Sequence, residues 1–340
     1  MASDIPQWHK VDQHTFETEI VPARRPAVLK GLVADWPLVH KGLESAEALV
    51  DYLQVFNPGT QIEYLTGDAS IKGRFFYNDR MTGENFRRVQ ANFADALRLL
   101  LAGTREAAPP SLAIQALSMR RHLPDLSQHN SMALPPPGTY PTLWISNAAL
   151  VAAHYDCKDN IACVAAGRRR FTLFPPEQLE NLYIGPLHNT PQGAPISMVD
   201  VTHPDLQRFP KYAAAQSAAQ TAELGPGDAI YIPYMWWHSV QSLAPFNLLV
   251  NYWWNTLPRS DGPPYTALMH AIIAVGSLPP EQRAIWQQQF EHFVFHSHGD
   301  PGAHLTPEGR GVLGPMTPAQ FEQMMAKVLQ VMLAERQAAK

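Results

Sequence analysis

The chain has 340 residues, of which 46% are hydrophobic and 16% are charged. This balance is typical of a globular protein with one large domain or two smaller ones, and it excludes an intrinsically disordered chain. The net charge of −4 at pH 7 gives no overall basic field for nucleic acid or an anionic membrane, and two cysteines are too few for a disulfide framework.

The first residues and the hydropathy pattern bear on the compartment. The N-terminal segment has no basic stretch followed by an apolar run, and no uninterrupted apolar stretch of about 18 residues occurs. We therefore expect a cytoplasmic protein without a membrane span.

The N-terminal third is predicted to contain a short strand and two helices. Residues 26–30 have strand-like composition, and helices are predicted from Ser45 to Phe56 and from Phe86 to Ala102. Ser45 is a suitable N-cap for the first helix, whose apolar residues recur at helical spacing. These helices should pack on the outside of a sheet.

A series of strands is predicted from about Thr142 to about Trp254. Gly167 separates two strand-like runs, Ile161 to Ala165 and Arg169 to Phe174. Residues 178–222 show little periodicity, and we interpret them as a long excursion with a short helix near Tyr212 to Thr221 that shapes a site.

After Pro263 the pattern becomes helical. One helix is predicted to open at Pro280, and another has Thr317 as N-cap and Pro318 at its first position. This region is either an extra core layer or a dimerisation element, and we expect a homodimer formed through the C-terminal helices. The predicted domains are 1–258 and 259–340.

Two histidines and an aspartate form the clearest chemical pattern. His154 and Asp156 are two positions apart on a predicted strand, so their side chains should share a face. His238 lies in a β-like segment, 229–242, that follows the turn Gly-Pro-Gly-Asp at 225–228. Two imidazoles and one carboxylate are the ligands of a non-haem Fe(II) oxygenase centre, which keeps one face of the metal open.

Alternatives exist for this pattern. An isolated His-x-Asp can be a hydrogen-bonded surface pair, but the turn, the strand and the aromatic residues around His238 favour the metal centre. Four aromatic residues are candidates for an apolar shell around the site, although each could equally be plain core: Trp144, Tyr234, Trp236 and Trp237.

A longer set of motifs keeps its order and spacing around these three residues. It comprises His154-Tyr155-Asp156, Asn160, residues 167–176, Leu182-Tyr183, Arg208-Phe209-Pro210, residues 225–228, Tyr231-Ile232-Pro233, Trp236-Trp237-His238 and Asn251-Tyr252-Trp253, with residues 26–31 and Asp35-Trp36-Pro37 nearer the N-terminus. The set resembles the Jumonji-C and cupin-like oxygenases, most closely the branch of the asparaginyl hydroxylase that acts on hypoxia-inducible factor.

The resemblance implies a fold and a cofactor set. The fold is mainly β with flanking α: a double-stranded β-helix, the cupin-like jelly roll, with N-terminal helices and a C-terminal helical element. His154, Asp156 and His238 would bind Fe(II), and 2-oxoglutarate would be the co-substrate.

The resemblance also suggests co-substrate residues. Arg169 stands at the position of the basic side chain that holds the distal carboxylate of 2-oxoglutarate, which an arginine can grip with two parallel hydrogen bonds. Alternation places Arg169 on the opposite strand face from Arg168 and Arg170, which we interpret as solvated. Asn160 and Asn251 would offer amide groups near the metal and co-substrate; ordinary strand-end asparagines are the alternative.

Two positions depart from the family pattern. Val151 stands where a hydroxyl residue is expected, and Ala113 stands where a tyrosine is expected. Both expected residues would help to hold the distal carboxylate, so we expect a more apolar and looser co-substrate pocket.

The implied activity is that of an Fe(II)- and 2-oxoglutarate-dependent oxygenase that hydroxylates a protein or peptide side chain. A small-molecule hydroxylase, a demethylase, a zinc-loaded or non-catalytic binding module and a metal-free ligand binder remain alternatives, because the fold and the metal do not determine the target. The departures at Val151 and Ala113 favour the zinc-loaded or non-catalytic binding module, whereas the intact ligand set argues against the metal-free ligand binder. No nucleic-acid or membrane partner is expected.

Overall fold

The computed structural model describes residues 3–191, 193–255 and 264–338. The strands are β1 Ser3–Asp4, β2 Gln7–His9, β3 Ala27–Lys30, β4 Gln61–Gly67, β5 Arg87–Asn92, β6 Ser111–Ser118, β7 Pro141–Ser146, β8 Leu150–His154, β9 Asp159–Ala166, β10 Arg169–Phe174, β11 Gln220–Leu224, β12 Ala229–Ile232, β13 Trp237–Ser242 and β14 Asn247–Trp254. The helices are α1 Gln13–Thr15, which continues as a π-helical turn Phe16–Ile20, α2 Pro37–Glu44, α3 Ala46–Val55, α4 Phe93–Gly103, α5 Met119–His122, α6 Leu126–His129, α7 Tyr212–Ala218, α8 Pro264–Ala274, α9 Pro280–Phe293 and α10 Pro318–Ala338.

Two sheets face each other. The first has the strand order β1-β11-β10-β13-β8, and the second has the order β2-β3-β12-β9-β14-β7-β6-β4-β5. Pairing is antiparallel except between β1 and β11 and between β2 and β3. This is the mainly β architecture with flanking helices that the sequence predicts, and it is consistent with a jelly roll.

Strand β9 shows how the layers are built. Its even-numbered residues Ala162 and Val164 enter the apolar cluster between the two sheets, whereas Ile161 and Cys163 enter the cluster shared with the helices. Helix α2 lies directly against this strand, because a Cβ at Gly42 would come within 2.5 Å of the Ala165 carbonyl oxygen. The N-terminal helices therefore cover the outer face of the second sheet, as predicted.

Local signals predicted most element boundaries, but two helices were predicted too long. The helix predicted near Tyr212 to Thr221 ends at Ala218, because Gln220–Leu224 form β11 and pair with β10. Ser45 caps α3 as predicted, since its hydroxyl accepts a hydrogen bond from the Ala48 amide at 3.0 Å. The helix predicted from Phe86 is wrong over its first turns: β5 occupies Arg87–Asn92, and α4 begins at Phe93. Pairing with β4 gives these six residues a sheet partner, and the side chain of Asn92 then caps α4.

The β-like segment 229–242 is divided into two strands. Pro233 has no amide hydrogen to donate to a ladder, and Met235 has a positive φ of 64°. Strand β12 therefore ends at Ile232, and β13 begins at Trp237, immediately before His238.

The chain divides into two compact units, 1–256 and 257–340. The predicted boundary between residues 258 and 259 lies outside the described residues. In the second unit, α9 and α10 begin at the predicted prolines. The Thr317 hydroxyl accepts a hydrogen bond from the backbone amide of Gln320 at 3.3 Å. Among the helices of the described chain, none is both long and apolar enough to cross a membrane.

Candidate metal centre

The three predicted metal ligands lie close together, where β8 ends and the neighbouring strand β13 begins. His154 is the last residue of β8, and it pairs directly with His238 at the start of β13. Asp156 lies two residues beyond the end of β8, so the prediction that it shares a strand with His154 is wrong, and strand alternation does not fix its direction. Its carbonyl oxygen accepts from the Met235 amide at 3.0 Å, which holds this loop against the turn that precedes β13.

The geometry of the triad suits a divalent transition metal. One donor atom from each residue lies within 4.8 Å of the others, and His238 Nε2 is 3.6 Å from Asp156 Oδ2. His154 Nδ1 lies 2.9 Å from the Ala152 carbonyl oxygen, and His238 Nδ1 lies 3.0 Å from that of Trp236. Because a carbonyl oxygen only accepts, each Nδ1 is the donor in these contacts, and in a neutral imidazole Nε2 is then the nitrogen with a lone pair. This donor set fits Fe(II).

The electrostatics and the surroundings of the triad also fit a metal. Burial, and then the proximity of His154, lower the pKa of His238 below its usual value, so this imidazole is neutral at pH 7. A neutral imidazole is the form that binds metal. The Trp253 indole donates a hydrogen bond of 3.0 Å to Asp156 Oδ2 and orients the carboxylate.

A mostly apolar cavity of about 660 Å³, including its open mouth, lies beside the triad. Its walls come from both sheets and from the long excursion: Trp144, Val151, His154, Asp156, Asn160, Ala162, Arg169, Phe171, Ala194, Ile232, His238, Val240, Leu249, Asn251 and Trp253. The excursion is anchored here by a bridge between Ile196 and His154 and by a 2.7 Å hydrogen bond from the Ser197 amide to the Ala153 carbonyl.

Arg169 brings a buried positive charge to this cavity. It is 4% exposed, whereas Arg168 and Arg170 are exposed and Arg170 forms an ion pair with Glu223 on β11. Burial lowers the pKa of Arg169 to about 10, so the guanidinium is still charged at pH 7. Its Nη2 donates to the Trp144 carbonyl oxygen at 3.5 Å.

No described residue neutralises the charge of Arg169. Its Nε is buried without an acceptor, and no carboxylate within the described ranges lies at ion-pair distance. A buried, uncompensated cation that faces a cavity is costly unless an anion binds there. The cavity is therefore suited to a carboxylate at one end and to a metal at the other.

The two predicted asparagines line the same cavity and are joined to each other. Asn251 Nδ2 donates to Asn160 Oδ1 at 3.4 Å. Asn251 Oδ1 accepts from the Thr142 hydroxyl and from the Trp144 indole, the latter at 2.8 Å. Thr142 was not singled out from the sequence.

The two departures from the family pattern lie in different places. Val151 lines the cavity and makes that wall apolar. Ala113 packs instead in a separate apolar cluster with Leu65, Phe75 and Phe86. The cavity wall therefore carries only the substitution at Val151.

The aromatic residues divide between the cavity and its surroundings. Of the four predicted shell residues, Trp144 lines the cavity, Trp237 packs on Tyr155 with ring centroids 4.8 Å apart, and Tyr234 is 39% exposed. Trp236 is buried in the cluster between the sheets. Trp253 was missed as a site residue, although alternation along β14 places it on the same face as Asn251.

Comparison with known proteins agrees with this fold. The family model described as a cupin-like domain matches residues 13–260, and the chain belongs to this family. The zebrafish (Danio rerio) tRNA wybutosine-synthesizing protein 5 is 27% identical over 287 residues, which cover 76% of this chain and 77% of that protein.

Two further relatives are matched over less of their length. The Drosophila melanogaster Jumonji C domain-containing protein 5 is 29% identical over 260 residues, 74% of this chain and 60% of that protein. Human HSPB1-associated protein 1 is 36% identical over 121 residues, 34% of this chain and 24% of that protein. These relatives place the chain among the Jumonji-C-type cupin-like proteins, a group that contains 2-oxoglutarate-dependent oxygenases. The narrower placement in the asparaginyl hydroxylase branch stays a prediction.

Proposed function

We propose that the protein is an Fe(II)- and 2-oxoglutarate-dependent oxygenase that hydroxylates a protein or peptide side chain. The observation that carries this proposal is the presence of two complementary features in one cavity. His154, Asp156 and His238 offer a metal site with an open face, and Arg169 offers a buried cation that has no counter-ion among the described residues. A metal-chelating dicarboxylate satisfies both.

Each residue then has a defined task. His154, Asp156 and His238 would hold Fe(II), and Arg169 would bind the distal carboxylate of 2-oxoglutarate. Asn160 would supply an amide group to the co-substrate, and Asn251 donates to the Asn160 oxygen. With O₂, the loaded centre supplies the oxidant that converts a C–H bond to C–OH while 2-oxoglutarate becomes succinate and CO₂. The apolar walls exclude water from the reacting groups.

The choice of a protein or peptide substrate rests on charge. The name of the zebrafish relative refers to tRNA, but this chain has a net charge of −4, and a polyanion is bound chiefly through basic side chains. We propose that the protein acts in the cytoplasm.

The first experiment is an anaerobic titration of 2-oxoglutarate into the Fe(II)-loaded protein, followed by the weak visible charge-transfer band of a metal-chelated 2-oxo acid. We expect the band in the wild type and in Arg168→Ala. We expect its loss in Asp156→Ala, and a much higher half-saturating concentration in Arg169→Ala.

Two results would contradict the proposal. A wild-type protein with bound iron but no band at saturating 2-oxoglutarate would exclude this co-substrate. Wild-type turnover by Asp156→Ala would remove the triad from the reaction. If the band appears in the wild type and Asp156→Ala is inactive, succinate formation is then measured with peptide pools and, for comparison, with tRNA. The substrate that increases succinate formation identifies the substrate class.

A further inference from the structure

The orientation of the Asn251 amide is determined by its neighbours. The Trp144 indole nitrogen lies 2.8 Å from Asn251 Oδ1, and the Thr142 hydroxyl donates to the same oxygen. An indole N–H can only donate, so the atom that faces it must be the amide oxygen. The NH₂ group of Asn251 is consequently directed away from Trp144.

The direction of the Asn251 NH₂ group also determines the orientation of the Asn160 amide. The NH₂ group of Asn251 lies 3.4 Å from Asn160 Oδ1, which acts as its acceptor. Because the oxygen of Asn160 is engaged in this way, its own NH₂ group is available to the cavity that it lines. Within the described ranges this NH₂ group has no protein acceptor, although Asn160 is only 5% exposed.

Trp144 also joins the two ends of the cavity. Its carbonyl oxygen accepts from Arg169 Nη2, and its ring meets that of Trp253 edge to face at 5.7 Å. Trp253 in turn donates to the carboxylate of Asp156. Trp144 thus contacts Arg169, Asn251 and Trp253, and Trp253 supports the predicted metal ligand Asp156.

We propose that Thr142 and Trp144 are positioning residues that hold the Asn251 amide so that Asn160 donates a hydrogen bond to a carboxylate oxygen of 2-oxoglutarate. This inference rests on the proposed function, which supplies the acceptor. If the Asn251 amide turned over, Asn160 would turn with it and present its carbonyl oxygen to the carboxylate, which is repulsive. Thr142 does not line the cavity, so it acts through Asn251.

The test uses Thr142→Val, which keeps the shape of the side chain and removes the hydroxyl donor, with Thr142→Ser as the variant that keeps the donor. The affinity for 2-oxoglutarate is measured by calorimetry on Mn(II)-loaded protein, in which no turnover occurs. Loss of one neutral hydrogen bond predicts an affinity about three- to tenfold lower for Thr142→Val and wild-type affinity for Thr142→Ser. In an Asn160→Leu background, Thr142→Val should have no further effect.

A second readout does not need metal or co-substrate. In ¹⁵N-resolved spectra of the metal-free protein, Thr142→Val should shift the side-chain amide signals of Asn160 and Asn251, and Thr142→Ser should leave them in place. If Thr142→Val does not fold, Trp144→Phe removes the other donor and is measured in the same cycle with Asn160→Leu.

The outcomes separate this inference from the proposed function. Equal affinities of Thr142→Val and Thr142→Ser, in a wild type that binds 2-oxoglutarate, overturn the positioning role alone. An effect of Thr142→Val that persists unchanged with Asn160→Leu also overturns it, because the residue then acts through packing. A wild type that binds Mn(II) but not 2-oxoglutarate overturns both proposals.

Discussion

At the scale of single residues, the carboxylate of Asp156 depends on a residue far away in the chain. Trp253 on β14 donates its indole hydrogen to Asp156 Oδ2 at 3.0 Å. Groups that orient a metal ligand commonly change metal affinity by about ten- to a hundredfold when they are removed. We therefore expect Trp253→Phe, which keeps an aromatic ring and removes the donor, to weaken Fe(II) binding by about this factor. Competition with a chromophoric chelator under anaerobic conditions measures the effect.

Trp36→Phe is the matched control for this prediction. It also removes an indole hydrogen bond, the 2.8 Å contact with the Ser131 carbonyl, but this residue packs in the cluster shared with the helices. Its metal affinity should equal that of the wild type. Unchanged metal affinity in Trp253→Phe would show that Asp156 needs no support from the indole.

Arg169 is expected to lower the stability of the metal-free protein and to promote 2-oxoglutarate binding. Its buried guanidinium has no counter-ion among the described residues, and burial lowers its pKa to about 10. At pH 7 the folded protein therefore contains a desolvated charge that the unfolded chain exposes to water. Arg169→Leu should raise the free energy of unfolding of the metal-free protein by roughly 1 to 4 kcal/mol and abolish 2-oxoglutarate binding.

Urea unfolding followed by circular dichroism measures the first effect, and calorimetry measures the second. Arg168→Leu, at an exposed neighbouring position, is the control and should change neither quantity. A clear loss of stability in Arg169→Leu would mean that the guanidinium is compensated in the metal-free protein.

The residues of the candidate metal site follow from the sequence, whereas their supporting residues do not. His154, Asp156 and His238 are the residue types that bind iron, and their motif is read directly from the chain. Thr142 becomes important only because β7 pairs with β14 and brings it opposite Asn251. Such register between distant strands is not encoded in local spacing.

At the scale of secondary-structure elements, the turn between β9 and β10 determines where Arg169 enters the cavity. Gly167 has a φ of +74°, and a Cβ there would lie 2.3 Å from Asn247 Oδ1 and 2.6 Å from the Phe246 carbonyl oxygen. Gly167→Ala should therefore destabilise the fold by the left-handed strain of about 1 to 2 kcal/mol and by the additional steric overlap. It should also weaken 2-oxoglutarate binding, because any shift of the turn displaces Arg169.

Gly138→Ala separates the contribution of backbone strain from the contribution of steric overlap. Gly138 has a similar φ of +87°, but no atom lies within 4 Å of a Cβ placed there. Thermal unfolding should therefore show a larger loss of stability for Gly167→Ala than for Gly138→Ala. Equal losses would attribute the effect to backbone strain alone.

The elements predicted correctly are those that depend on local chemistry. Proline at a first helical position and a hydroxyl N-cap identify α10, and Ser45 identifies α3. Strand β5 was missed because its stability comes from its pairing with β4, residues 61–67. Tertiary pairing thus decided the structure of a segment whose own sequence suggested a helix.

At the scale of the whole molecule, the family match ends at residue 260, before α8 begins. The family match therefore does not include α8, α9 or α10. Of residues 264–334, only Pro301 and Gly302 are buried. Large apolar side chains are exposed on all three helices, among them Leu268, Ile272, Ile273, Ile285, Trp286, Phe293, Met325, Val328, Leu329, Val331 and Leu333.

Exposed apolar helices of this extent mark an association surface, and symmetric pairing of two copies is the commonest way in which soluble proteins cover one. We therefore expect a homodimer formed through the C-terminal helices, with a mass about twice the 37.9 kDa of one chain in sedimentation equilibrium. Leu329→Glu places a charge on a residue that is 57% exposed on α10, and it should produce a monomer. Val55→Glu, at a residue 77% exposed on α3 in the other unit, should leave the dimer intact. A wild type that is monomeric at every concentration would refute the dimer, and equal dissociation by both variants would locate the interface elsewhere.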